Sequence, residues 1–188
     1  MEMRYFRLSD DVYLPGRWEL GRLSDQRGEE VWPALLMRGE PAHIEGRIKA
    51  PVKIAGKPLD FSHAAMGIPV VHVRAASVFK ELAAEDVQFF PVDIEGHPEQ
   101  YLILNVTRVV KCIDDQASEE VRYWKPEDGR PEKTGQYRAV YGMRMDPSKM
   151  GDAKVFRPWG WTVALIVSEE IKEALERIGA TGTKFKEV

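Results

Sequence analysis

Cysteine is almost missing from this 188-residue chain. Cys112 stands alone, so no internal disulfide can staple the fold, and neither a CxxC redox pair nor a multi-thiolate metal cage is available. Long apolar runs are missing too. No stretch reaches the roughly 18 apolar residues that a spanning helix needs, and no apolar segment follows "MEMRYFRLSD" in the manner of a secretory leader. A cytoplasmic protein is the simplest expectation. Neither sign of charge dominates: 27 Lys and Arg stand against 30 Asp and Glu, for a net charge of −3. The net basic charge of a general nucleic-acid binder is therefore missing, which leaves only a local basic patch open, and neither direct nucleic-acid nor membrane binding is expected.

Catalytic motifs are equally scarce. There is no GxSxG elbow, no P-loop and no dinucleotide fingerprint. The four histidines, His43, His63, His72 and His97, form no HxxxH pair, which argues against zinc. His72 in "PVVHVRA" reads as a strand-end histidine satisfied locally. Cys112 lies between an apolar strand and the pair Asp114 and Asp115, whose charge would raise a thiol pKa, so a buried structural cysteine is expected. Asp114, Asp115, Glu119 and Glu120 lack the alternation and central glycine of a calcium loop and read as a solvated acidic loop. No catalytic residue, metal or cofactor is expected.

What the chain does have is a 44% hydrophobic composition, enough for a sizeable core in one domain, punctuated throughout by 12 prolines and 15 glycines. Residues 1–67 are turn-rich, with strands expected at "MRYFRLSDD" and "HIEGRIKAPVKI". Ala75, Val78, Phe79 and Leu82 recur at helical spacing and predict an amphipathic helix. "VQFFPVDIEGHPEQYLILNVTRVV" predicts a β-hairpin, with Pro91 marking an edge or a bulge. Beyond it lies a polar excursion containing a short "VRYW" strand, then strands at "QYRAVYGMRM", "KVFR" and "TVALIV". Ser168 should N-cap a helix from Glu169 to about Ile178, with Gly179 as its stop and Ile171, Ala174, Leu175 and Ile178 as its apolar stripe. "GTKFKEV" predicts a last edge strand. Strands outnumber helices without regular alternation, so the fold class expected is α+β, a largely antiparallel sheet with two or so short amphipathic helices.

In "RPWGW", Trp159 and Trp161 straddle Gly160. If this segment is extended, both indoles point to one face. They would then form either an aromatic cover over the core or an exposed platform for a partner.

Four segments carry a resemblance. "PVVHVRAASVFKELAAEDVQFFPVDI", "YLILNVTRVVKCIDDQASE", "DPSKMGDAKVFR" and "IVSEEIKEALERIGATGTKF" together resemble the bacterial immunity-protein family numbered eleven among polymorphic-toxin systems, over roughly Ile68 to Phe185. The resemblance implies a cytoplasmic protein that binds and neutralises a cognate toxin domain, and it carries no catalytic residues with it. A toxin that is a nuclease would offer a phosphate-holding site. The acidic, aromatic stretch containing Asp114, Asp115, Glu119, Glu120, Tyr123 and Trp124, with Trp159, is the partner surface this implies. The alternative for that stretch is a solvated loop with Tyr123 and Trp124 tucked into the core. Alternatives for the whole chain are a ligand-binding or scaffold domain, or an enzyme in which His72 or His97 converges with the acids.

Overall fold

The computed structural model describes residues 2–188. "YFRLSD" alternates and forms β1 (Tyr5–Asp10), which sends Phe6 and Leu8 to one side and Tyr5 to the other. Short pieces follow: β2 (Glu19–Leu20), β3 (Ile48–Ala50), β4 (Val52–Ile54) and β5 (Phe61–Ala64). The expected strand at "HIEGRIKAPVKI" is split at Pro51, which has no N–H to donate to a ladder. Its two halves join different partners, β3 with a later strand and β4 with β2.

β6 (Ile68–His72) runs directly into α1 (Val73–Leu82). His72 makes this junction possible: its Nδ1 accepts from the Arg74 N–H at 3.2 Å and caps the helix, the local satisfaction expected of it. α1 buries Ala75, Val78 and Phe79, and Leu82 packs alongside. The hairpin of β7 (Val87–Ile94) and β8 (His97–Val106) then forms as expected. β3 pairs only with Val92 to Ile94 of β7, so Pro91 sits just before that pairing begins and beside a register shift. The order of this sheet is β3-β7-β8-β6-β5, antiparallel except for β3 with β7.

The remaining strands are β9 (Val109–Val110), β10 (Glu120–Tyr123), β11 (Tyr137–Tyr141), β12 (Val155–Pro158), β13 (Ile166–Ser168) and β14 (Thr183–Glu187). "TVALIV" is strand only from Ile166, because Thr162 and Val163 form a turn. α2 (Glu169–Arg177) starts where Ser168 Oγ accepts from the Ile171 N–H, and the chain leaves the helix at Gly179. The second large sheet runs β14-β1-β13-β12-β9, with β14 at its edge and the N-terminal strand inside it. β10 and β11 form a separate two-stranded ribbon. The observed class is α+β, dominated by antiparallel pairing, with two short helices.

The two large sheets and both helices meet in one apolar cluster that holds Phe6 and Leu8 together with Phe61, Phe79, Leu104, Ile171 and Leu175. Gly182 lets the sheets approach: at φ +90°, a Cβ there would lie 2.1 Å from the Phe61 carbonyl oxygen. A second cluster surrounds the fully buried Trp18. A third lies on the other face of the sheet that holds β1 and contains Tyr5, Cys112, Met143, Met145, Phe156 and Ile166. Leu175 is 1% exposed. Leu175→Ala is expected to destabilise by about 2–5 kcal/mol, the usual loss for a buried large-to-small change. An unchanged midpoint in urea denaturation would show that α2 is not docked through this stripe.

Candidate functional site

The residues most suited to chemistry are placed in structural roles. Cys112 is buried against Met145, with sulfur atoms 3.6 Å apart, and burial pushes its thiol up to about 12. The direction is the one expected, but its cause is burial, not the neighbouring acids. Cys112→Ser is expected to lower stability by about 1–3 kcal/mol, since it buries a hydroxyl, and to leave partner affinity unchanged in calorimetric titration. His97 stands edge-on to Trp18, ring centroids 4.8 Å apart, and His72 likewise to Tyr101 at 5.2 Å. His97 and Tyr101 line a groove of about 700 Å³ with Arg47, Lys80 and Asp93, and the acids of the excursion are not among its walls. Burial pushes the Tyr101 phenol up to about 12. Among the described residues, no three His, Cys, Asp or Glu side chains gather to hold a metal ion, and no helix is long and apolar enough to cross a membrane.

The excursion begins where Ile113 bridges to Met145 and the Asp114 N–H donates to the Arg144 carbonyl at 2.8 Å. Asp114 Oδ1 accepts from the N–H groups of Gln116 and Ala117, and Ser118 Oγ donates to the Asp114 carbonyl and accepts from the Arg144 N–H. These bonds fix the turn that launches β10. Asp115 accepts from the Tyr137 hydroxyl. Burial, then that carboxylate, raises the Tyr137 pKa. Glu119 lies over Gly142, and Glu120 pairs with Arg122 Nε at 2.9 Å. Three of the four acids named from the sequence are thus held by partners within the excursion.

The aromatic residues face outward. Tyr123 stacks on Tyr137 with centroids 5.1 Å apart, yet remains 39% exposed. Tyr141 is half exposed, and the Arg122 guanidinium lies 6.0 Å from its centroid. Trp124 is half-buried between Lys133 and Arg138, at 5.3 and 5.1 Å from its ring. Tyr123 and Trp124 belong to none of the three buried clusters. The ribbon is anchored from beneath by Tyr137, which is buried, and by Val140, which packs on the third cluster.

The "RPWGW" segment is extended only to Pro158, where β12 ends, and not across the two tryptophans. Gly160 takes φ +77°, which turns the chain between the two indoles. Trp161 packs on the third cluster, and Trp159 is exposed beneath the Lys111 ammonium, 4.6 Å from its ring. The single face expected from strand periodicity is lost because this glycine allows a left-handed residue there. The Gly160 carbonyl accepts from the Tyr137 N–H at 3.2 Å, so Trp159 adjoins the foot of the ribbon. Arg157, 1% exposed, braces this turn by donating from Nη1 to the carbonyls of Thr162 and Ala164. Burial lowers its pKa to about 10.

A polar cluster that the sequence did not signal lies elsewhere. Asp10 pairs with Arg17 at 3.0 Å and with His63 Nδ1 at 3.2 Å, and it also accepts from the His63 N–H. Asp10 and Arg17 are nearly buried. Burial, ahead of the opposing pull of Asp10, lowers the His63 pKa.

Comparison with known proteins adds one positive finding. No curated protein matches the chain. The model of the immunity protein family Imm11 matches residues 37–188, beginning well before the Ile68 at which the resemblance starts in the sequence. With four-fifths of its length matched, the chain, an α+β protein, belongs to the Imm11 immunity protein family.

Proposed function

We propose that this chain is a stoichiometric inhibitor that binds a cognate toxin domain in the cytoplasm and neutralises it by occlusion, without chemistry of its own. The observation that carries the reading is the β10–β11 ribbon. Tyr123 and Tyr141 are exposed on a two-stranded sheet that contributes little to any core, and Trp159 is exposed beside its foot. Exposed aromatics on a rigid support make the strongest anchors in protein interfaces, because they bury much area for little lost rotamer freedom. Asp114, Asp115, Glu119 and Glu120 serve this surface by setting the shape of the excursion, and Trp124 by bracing Lys133 and Arg138. The excursion's carboxylates are largely engaged, which gives little support to a phosphate-holding nuclease site as the contact.

The test is to express the reading frames that flank this gene and to titrate calorimetrically any toxin domain they encode, together with a growth assay in cells expressing it. Wild type should bind and restore growth. The double variant Tyr123→Ala/Trp159→Ala should lose about 30-fold or more in affinity, equivalent to roughly 2 kcal/mol at a hot spot. Equal affinity of the two proteins would place the contact elsewhere on the chain.

A further inference from the structure

The ribbon carries a groove whose charge specifies what it takes. Its volume is about 660 Å³, and Arg122, Tyr123, Lys125, Asp128, Arg138 and Tyr141 line it. Asp128 is the one carboxylate in that lining, and it is already engaged: it accepts from Arg138 Nη1 at 3.0 Å and from the Lys125 N–H at 2.9 Å. Arg122 uses Nε for Glu120. The outer nitrogens of Arg122, one nitrogen edge of Arg138 and the Lys125 ammonium have no protein partner among the described residues. Guanidinium groups bind carboxylates through paired N–H donors, and such charge-assisted bonds are about twice as strong as neutral ones. The groove thus offers cationic donors between two exposed tyrosine rings.

We infer that this groove docks an acidic segment of the partner protein, with carboxylates on Arg122, Lys125 and Arg138 and an apolar flank against Tyr123 and Tyr141. The inference rests on the inhibitor reading above and adds the chemistry of the toxin surface. A nucleic acid would also meet cations and aromatic faces here. A phosphate backbone, however, extends beyond any one groove, and the segment around this one also carries Glu120, Glu127 and Glu132, of which Glu120 and Glu132 are already paired with Arg122 and Arg130. A protein segment can confine its carboxylates to the groove. The ribbon is held by the Asp115–Tyr137 bond and the Tyr137–Gly160 bond, so little ordering is needed on binding.

The experiment uses the full chain, with Arg122→Glu and, separately, Lys125→Glu, which removes no ion pair. Each variant is first shown to melt as wild type does. Three probes are titrated: the neighbouring toxin domain, a ten-residue glutamate peptide carrying a terminal fluorophore, and a thymidine oligonucleotide of equal length. The expected result is toxin binding by wild type that weakens with added salt, a loss of at least tenfold in each variant, and peptide binding by wild type alone. If wild type binds toxin and both variants match it, the acidic-segment inference is overturned while the inhibitor reading stands. If wild type binds no toxin, both fall. Oligonucleotide binding tighter than peptide binding, abolished in the variants, overturns the inference in favour of a nucleic acid.

Discussion

A chain cut to residues 37–188, the stretch matched by the family model, is expected to show no cooperative unfolding transition. The cut removes β1, which lies between β13 and β14 and pairs with both. Those two strands would be left with unpaired edges and no bridge between them. The cut also removes the side chains of Tyr5, Phe6, Leu8, Trp18, Leu20, Leu23, Val31 and Leu36, all buried. At about 1.5–3 kcal/mol for each buried apolar side chain, their loss totals on the order of 12–24 kcal/mol. The entropy cost of ordering the removed residues disappears with them, but β13 and β14 lose the strand that joins them in the sheet, and the cores lose side chains that nothing replaces. Urea denaturation followed by circular dichroism gives the answer. A sigmoidal transition in the truncated chain would show that the first 36 residues are an appendage.

The second large effect is expected at Asp10. Asp10→Ala strips Arg17 and His63 of their shared acceptor and leaves the guanidinium nearly buried without a counter-charge. Removing one partner of a buried pair typically destabilises by about 3–5 kcal/mol. Arg17→Ala added to Asp10→Ala should recover part of the loss, because the uncompensated charge goes with it; a strictly additive double variant would show that the pair is not coupled. His63 links the same cluster to pH. Its folded pKa lies below its unfolded value, so the unfolded chain takes up the proton first as pH falls. Stability should be full above the ordinary histidine pKa of about 6.5 and should decline as pH drops from there towards the lower folded value. His63→Gln should flatten the denaturation midpoint between about pH 7.5 and 5.5 if this site sets the slope. An unchanged slope would assign it to other groups.

Local features were legible in the sequence. The Ser168 cap, the stripe of α2, the stripe of α1 and the β7–β8 hairpin each follow from neighbouring residues, because periodicity and caps act over a few positions. Sheet order was not legible. Nothing in "YFRLSD" tells that its partners are Ile166–Ser168 and Thr183–Glu187, since pairing is decided by which apolar faces meet in three dimensions. The candidate surface was legible in composition but not in roles. The run Asp114 to Glu120 reads as free negative charge until the hydrogen bonds show Asp114 building a turn and Asp115 holding Tyr137. Trp159 and Trp161 part company because one glycine enters the left-handed region, a choice that strand periodicity does not encode. The Asp10, Arg17 and His63 cluster joins residues from a strand, an isolated bridge and another strand, and no spacing announces it.

The interior position of β1 also sets a clock. During synthesis, Tyr5–Asp10 leaves the ribosome well before its neighbours β13 and β14, because the chain between them must be made first. With ~160 residues between them and elongation at roughly 5–20 residues per second, the strand waits on the order of 10–30 s for its partners. Throughout that interval Phe6 and Leu8 have no sheet to enter, and the nascent chain depends on chaperones or on the earlier-completed β5–β8 sheet to shield them. On the inhibitor reading proposed above, protection begins only once β13 and β14 have joined β1, so in a cell meeting a toxin, reserves made beforehand count for more than new synthesis.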